Sequence, residues 1–251
     1  MEIDYRDAAI RALAEDRYDR AADRYTMAAN AEFAGLQGSG RAALPTDRPG
    51  ETPPEGYGWV GEALARYLLA AVCYRLAGAE SRARNRALAG ELVATDQRAV
   101  LDDPALRAAC HEFAGDLRVV GDRDGAGEAY DRAIAGYEAA EVDDPGAFTA
   151  RPMMQAGTDA ILQLSRPDDL AWDDLHGSDP AGMMRRRVEF KRSRLPSLVA
   201  ARLDAGKLFA PRGSTEYDNG TYRCPECGAN DINHVASAVL CLRCNATIEE
   251  K

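Results

Sequence analysis

The sequence predicts a mainly α-helical protein with a small β module at its C-terminal end. Three observations predict it. Apolar and alanine residues recur at spacings of three and four through residues 3–34, 59–95 and 103–142, and each stretch is broken once near its middle. Four cysteines form two Cys-x-x-Cys pairs, Cys224/Cys227 and Cys241/Cys244, with thirteen residues between the pairs. The segments His234–Leu240 and Ala246–Ile248, which lie between and after those pairs, suit short strands.

Taken in order, residues 3–34 read as two helices. Ile3, Ile10, Leu13 and Ala14 share a face of the first, Asp16-Arg17 makes the break, and Tyr18, Ala21, Ala22, Tyr25 and Ala28 mark the second. Residues 35–58 carry too many glycines and prolines for helix or strand and read as a long loop. A helix pair broken near Gly78 covers 59–95, and another broken near Gly121-Asp122 covers 103–142. Asp103 is placed to cap the latter, with Pro104 at the first helical position. A seventh helix is expected over 147–165, with Met154, Ile161 and Leu164 apolar. Residues 166–179 are acidic and aperiodic, and a long cationic helix follows over about 181–206, kinked near Pro196 and stopped by Gly206. The chain therefore divides into a helical array (1–165), an acidic loop with a basic amphipathic helix (166–212) and a metal module (213–251).

Each Cys-x-x-Cys pair can supply two thiolates from one tight turn. Cys224, Cys227, Cys241 and Cys244 together make the closed tetrahedral ligand set of a structural Zn²⁺ site, which leaves no coordination position for water or substrate. Gly228 and Asn245 stand directly after the second cysteine of each pair, where the turn favours a positive φ. His234 lies between two complete pairs and is not needed as a ligand. Three short strands make little core, so metal binding should supply most of this module's folding free energy, on the order of 10 kcal/mol. The run Tyr222-Arg-Cys-Pro-Glu-Cys-Gly-Ala resembles the first knuckle of a zinc ribbon. Arg223, Arg243 and Lys251 face Glu226, Asp231, Glu249 and Glu250, a balance that suits a structural cap or a protein-docking knob better than a nucleic-acid reader.

The helix pairs share a signature. Asp16, Ala21, Tyr25 and Ala28 of the first correspond to Gly121, Ala126, Tyr130 and Ala133 of the third, and more weakly to Gly78, Ala83 and Ala87 of the second. Small residues at these places let paired helices approach closely while tyrosine fills the groove between pairs. The pattern resembles the tetratricopeptide repeat. The alanines are separated by 62 and 43 residues, so the array expected is a degenerate one, and an ordinary alanine-rich bundle is the alternative. The resemblance implies an α-solenoid whose concave face binds a protein or peptide. By that resemblance Arg11, Arg66, Arg75, His111 and Arg118 are candidates to hold acidic ends, although for each of them alone a solvated face is the favoured reading.

Charge is unevenly placed. Residues 1–181 carry a net −14, residues 182–212 a net +7 and residues 213–251 a net −3, within a total of −10. The chain has 28 Arg and three Lys, and this composition resembles that of proteins from halophilic archaea. Arg185, Arg186, Arg187, Lys191, Arg192 and Arg194 crowd into ten residues. Three readings stand for them: a helix packed with its cations towards the acidic body, a nucleic-acid or ribosome contact, or a membrane-surface helix. The scarcity of aromatic anchors, Phe190 and Phe209 alone, argues against the last.

No apolar run reaches the roughly 18 residues that span a bilayer, and Met1–Asp7 lacks the features of a signal peptide. A cytoplasmic protein is expected, with Cys73 and Cys110 as buried apolar residues and not a disulfide. Phosphate-binding loops, dinucleotide fingerprints and nucleophile elbows are absent. The function expected is a non-enzymatic protein-interaction adaptor, with a nucleic-acid- or ribosome-associated regulator as the alternative.

Overall fold

A computed structural model describes residues 4–34 and 57–248; Ile3, all of the breaker-rich loop except its last two residues, and Glu249, Glu250 and Lys251 lie outside them. Six helices follow one another as α1 (Tyr5–Ala14), α2 (Tyr18–Ala34), α3 (Gly58–Leu76), α4 (Glu80–Val100), α5 (Pro104–Val120) and α6 (Ala126–Ala140). Each packs against the next. The turns inside the three pairs are built alike. Arg17 N–H donates to the Ala12 carbonyl, Ala79 to Tyr74 and Arg123 to Arg118, each reaching back five residues. In each turn one residue takes the left-handed conformation: Asp16, Gly78 and Asp122. At the break expected near Gly121-Asp122 it is the aspartate that takes the positive φ, while Gly121 stays at φ −82°. Asp103 caps α5 through Ala105 and Leu106 N–H, with Pro104 inside the first turn, as expected.

α3 sits at the centre. It is apolar around nearly its whole circumference, because α2, α4, α5 and α8 all pack on it. Tyr25, Ala87 and Tyr130, the matched positions of the three second helices, are all buried, as are Cys73 and Cys110. Burial raises both of these thiols, Cys110 to about 12, so they behave as small apolar groups.

The single helix expected over 147–165 is two, α7 (Pro145–Thr149) and α8 (Pro152–Ser165). Pro152 forces Arg151 into an extended conformation, which ends one helix and lets the next begin. α8 lies against α3 at close range: a Cβ on Gly61 would come within 2.7 Å of the Met153 Cα, so the crossing depends on that glycine. A short helix α9 (Trp172–His176) and one 3₁₀ turn (Pro180–Gly182) lead into α10 (Met183–Asp204), which runs through Pro196 and packs on α5, α6, α8 and α9.

The last segment forms a three-stranded antiparallel sheet, β1 (Ser214–Glu216), β2 (Ile232–Val235) and β3 (Ala238–Cys241), in spatial order β1-β2-β3. The expected single strand over 234–240 is instead a hairpin, turned at Ala236-Ser237 with φ of 55° and 56°. Ala236 is 8% exposed at that tip and packs with Ile10, Ala210 and Leu240, and its carbonyl accepts from the Arg11 guanidinium at 3.0 Å. Docking on α1 thus holds in place a turn whose residue types do not favour it. Among the described residues no helix is long and apolar enough to cross a membrane.

Candidate metal centre

The two Cys-x-x-Cys turns are near copies of each other. Cys224 N–H donates to the Ala229 carbonyl and Cys241 N–H to that of Ala246, both at 2.8 Å. Gly228 N–H returns to the Cys224 carbonyl and Asn245 N–H to that of Cys241, both at 3.0 Å. Gly228 and Asn245 take the left-handed conformation, with φ of 74° and 68°. The hairpin folds one turn over the other. The Sγ atoms of Cys224 and Cys244 are 3.5 Å apart, as are those of Cys227 and Cys241, and all four lie within 4.8 Å of one another. A tetrahedral ion bound to sulfur at about 2.3 Å requires sulfurs about 3.8 Å apart. The four thiols can therefore hold a metal ion without rebuilding the turns. All six cysteines of the chain are free thiols. His234 stands apart, 3.1 Å from the Glu216 carboxylate.

The thiols of the cluster are not poised alike. Burial opposes the Cys224 thiolate, but the N–H groups of Cys227 and Glu226 and the neighbouring thiols outweigh it and bring the thiol to about 7. Burial raises the thiols of Cys241 and Cys244. A cation entering the cluster displaces those protons, so loading is coupled to proton release.

The second turn is anchored to the helical body and the first is not. A Cβ on Gly228 would meet nothing within 4 Å. Asn245, in the matching place, is 1% exposed; its Oδ1 accepts from Ala210 N–H at 2.9 Å and its Nδ2 donates to the Leu13 carbonyl at 3.3 Å. The Arg166 guanidinium adds hydrogen bonds to the carbonyls of Ala210 and Leu242. Asn245→Ala is expected to lower stability by about 2 kcal/mol in urea unfolding, because Ala210 N–H loses its acceptor and an L-residue remains at positive φ. Asn245→Gly keeps the first cost but relieves the backbone and should fall between the two, whereas an alanine variant as stable as wild type would show that the side-chain bonds contribute nothing.

The six clustered cations of α10 do not form one surface. Arg187 and Lys191 are fully buried, which removes them from the candidate nucleic-acid surface. Arg187 Nε donates to Glu112 at 2.7 Å, its Nη1 to Thr158 at 2.6 Å and to His176 Nε2 at 3.0 Å, and its Nη2 to the Met154 carbonyl at 3.0 Å. Lys191 Nζ lies 2.5 Å from Glu112 and 2.6 Å from Asp116. Tyr137 and Tyr130 donate to the same two carboxylates at 2.8 and 2.9 Å. Two cations thus face two anions, and each of the four carboxylate oxygens accepts at least one hydrogen bond, which is what makes buried charge tolerable. Burial opposes the Glu112 charge, but Arg187 and Lys191 outweigh it and hold the carboxyl down at about 2. Arg185 pairs with Glu138 and Glu189, and Arg192 with Asp131. Arg186 and Arg194 are exposed and have no ion pair among the described residues.

His176 is enclosed beside this network, with Nδ1–H directed at the Trp172 carbonyl and Nε2 accepting from Arg187. Burial and the Arg187 charge push it down to about 4, and burial and Arg98 do the same to His111. Both are neutral when folded, whereas an unfolded histidine takes its proton near 6.5. Their contribution to stability is complete above that value and lost as pH falls towards 4. Urea midpoints should therefore decline across that window, and His176→Gln should flatten the decline, leaving the share of His111. An unchanged slope would place the proton uptake elsewhere.

The cations proposed to hold acidic ends are engaged within the chain: Arg66 with Glu32 and Glu62, Arg118 with Glu91, Arg11 with the Ala236 carbonyl, Arg75 with that of Val120, and His111 with Arg98. Sequence reasoning missed Glu112, Asp116, Arg166 and Asn245 as structural partners. The signal for the first two was present. They fall one turn apart within the stripe of Ala109, Phe113, Leu117 and Val120 that the helical period buries. No family model, curated protein or solved structure matches this chain.

Proposed function

We propose that this protein is a non-enzymatic adaptor: a degenerate tetratricopeptide-like helical array, stapled at one end by a zinc ribbon, that binds another protein. Zinc is the ion whose geometry and ligand preference best suit four thiolates from paired knuckles, and four protein ligands leave it no position for substrate. The inner helices of the array are α1, α3 and α5. In this reading α8 and α10 of the same chain lie where a bound peptide would lie, on α3 and α5. The partner therefore belongs on the outer side.

The observation that carries the adaptor reading is on α4. Leu88 and Leu92, one helical turn apart, are 39% and 58% exposed, and Val100 at the end of the same helix is 67% exposed. Large apolar side chains that do not fill the chain's own core suit a docking face. Affinity capture from native cell extract, compared with the Leu88→Glu/Leu92→Glu variant, tests this. A co-purifying protein lost from the variant supports the reading; an identical set of captured proteins, or turnover of a substrate by the purified chain, refutes it. Nucleic-acid contact would rest on Arg186 and Arg194, enough for a salt dependence with a slope of only about −2.

A further inference from the structure

Among the described residues five cationic side chains are buried: Arg66, Arg166, Arg187, Lys191 and Arg202. Three of them meet carboxylates: Arg66 with Glu32, Arg187 with Glu112, and Lys191 with Glu112 and Asp116. Arg166 and Arg202 do not. Among the described residues no carboxylate oxygen lies within ion-pair distance of either, and in both the Nε–H has no acceptor. They stand on the same aromatic ring, with guanidinium carbons 5.4 and 6.0 Å from the centre of Phe209. Arg166 is 2% exposed and spends its Nη groups on the backbone carbonyls of Ala210 and Leu242. Buried charge without a contacting counter-charge is costly, and Asp169 and Asp168 act on these two groups only from beyond ion-pair distance.

A pocket of about 390 Å³ opens there. Arg166 forms part of its wall, and Arg6 and Arg212 stand at the same pocket. Two carboxylates share the lining, Asp159 and Asp169. Asp169 is already bound to Arg212, and Asp159 accepts from Gln155. Arg212 is bound to Asp169 and Arg6 to Asp7, so Arg166, with no ion pair among the described residues, is the cation of this wall whose charge is left over. Leu162, Leu170 and Pro211 supply an apolar portion of the wall. A narrower cleft of about 80 Å³ shares Arg6, Asp159, Gln163 and Pro211 with this pocket.

We propose that this pocket binds the oxyanion group, carboxylate or phosphate, of a small molecule, with Arg6, Arg166 and Arg212 as its cationic wall and Leu162, Leu170 and Pro211 against its body. Arg166 has its Nε–H left to donate, and the exposed guanidinium groups of Arg6 and Arg212 can turn towards either oxyanion as charged donors. The volume lies at the small end of the range of ligand pockets, which fits a metabolite and not a folded partner. Because Arg166 also ties the helical body to Ala210 and Leu242, a bound oxyanion would tighten the junction between the two parts of the chain.

The test uses the full-length, metal-loaded protein. Inorganic phosphate, citrate and, at matched ionic strength, sodium chloride are titrated separately while backbone amide shifts of residues 162–170 and 210–213 are followed. A saturable response to phosphate or to citrate, absent with chloride, is expected, and whichever of the two saturates at lower concentration identifies the source. Arg6→Gln and Arg212→Gln are both exposed changes and should weaken that response about tenfold. Asp169→Asn should strengthen it several-fold by releasing Arg212, a gain that misfolding cannot mimic. Saturation by neither probe, or equal affinity in Arg212→Gln and Asp169→Asn, would overturn the proposal. Neither result bears on the docking face of α4.

Discussion

Stripping the proposed Zn²⁺, by a strong chelator or by Cys244→Ser, is expected to unfold residues 213–248 while α1–α8 remain helical. The sheet has strands of only three, four and four residues, which cannot stand alone in water. Its inner cluster consists of Cys224, Ile232, Cys241 and Ile248, so two of its four members are themselves ligands. Coordination of four thiolates contributes about 10–16 kcal/mol in modules of this kind, far more than the two isoleucines can. Far-UV circular dichroism should change little, because the helices dominate it. Amide exchange should change greatly: protection of Ile232–Val235 and Ala238–Cys241 should vanish with the metal and return with one equivalent of Zn²⁺. Strands that stay protected in metal-free protein would show that the tail folds by packing on α1 and not by coordination.

Lys191→Met is expected to destabilise the whole helical body by about 3–5 kcal/mol, read as a fall in the urea midpoint with little change in slope. The substitution nearly preserves side-chain length but leaves Glu112 and Asp116 to share Arg187 inside a region with no water-exposed surface. The double variant Lys191→Met/Asp116→Asn restores neutrality, and should recover at least half of the loss. A coupling energy near zero between the two sites would mean that the pair at 2.6 Å is energetically idle.

The helices, their caps and the four ligands were legible because they depend on residues close in sequence. Asp103-Pro104 signals a helix start by itself, and a Cys-x-x-Cys pair followed by glycine or asparagine signals a turn by itself. The central place of α3 was not read from the sequence, although few polar residues interrupt it. The destination of the α10 cations was not legible. Their spacing places Arg187 and Lys191 one turn apart, and Glu112 and Asp116 are spaced in the same way on α5, but which two helices meet is decided by packing across 75 residues of chain. The split at Pro152 was missed because the apolar period continues across it. The hairpin tip was missed because Ala236-Ser237 lacks the residue types that favour such a turn, and only its contact with α1 explains it. The positions of Arg166 and Asn245 likewise follow from how the tail seats on the body.

The buried network has a consequence for the order in which the chain can be completed. Glu112 and Asp116 leave the ribosome well before Arg187 and Lys191, so during synthesis the finished helices α1–α6 hold two carboxylates with nothing to neutralise them. Those groups must remain hydrated until the basic segment emerges, and the interior around α5 cannot dry and close before then. A polypeptide ending at residue 165 would keep that wet seam permanently. Glu112 and Asp116 of α5 and Arg187 and Lys191 of α10 are thus matched charge for charge across the interior.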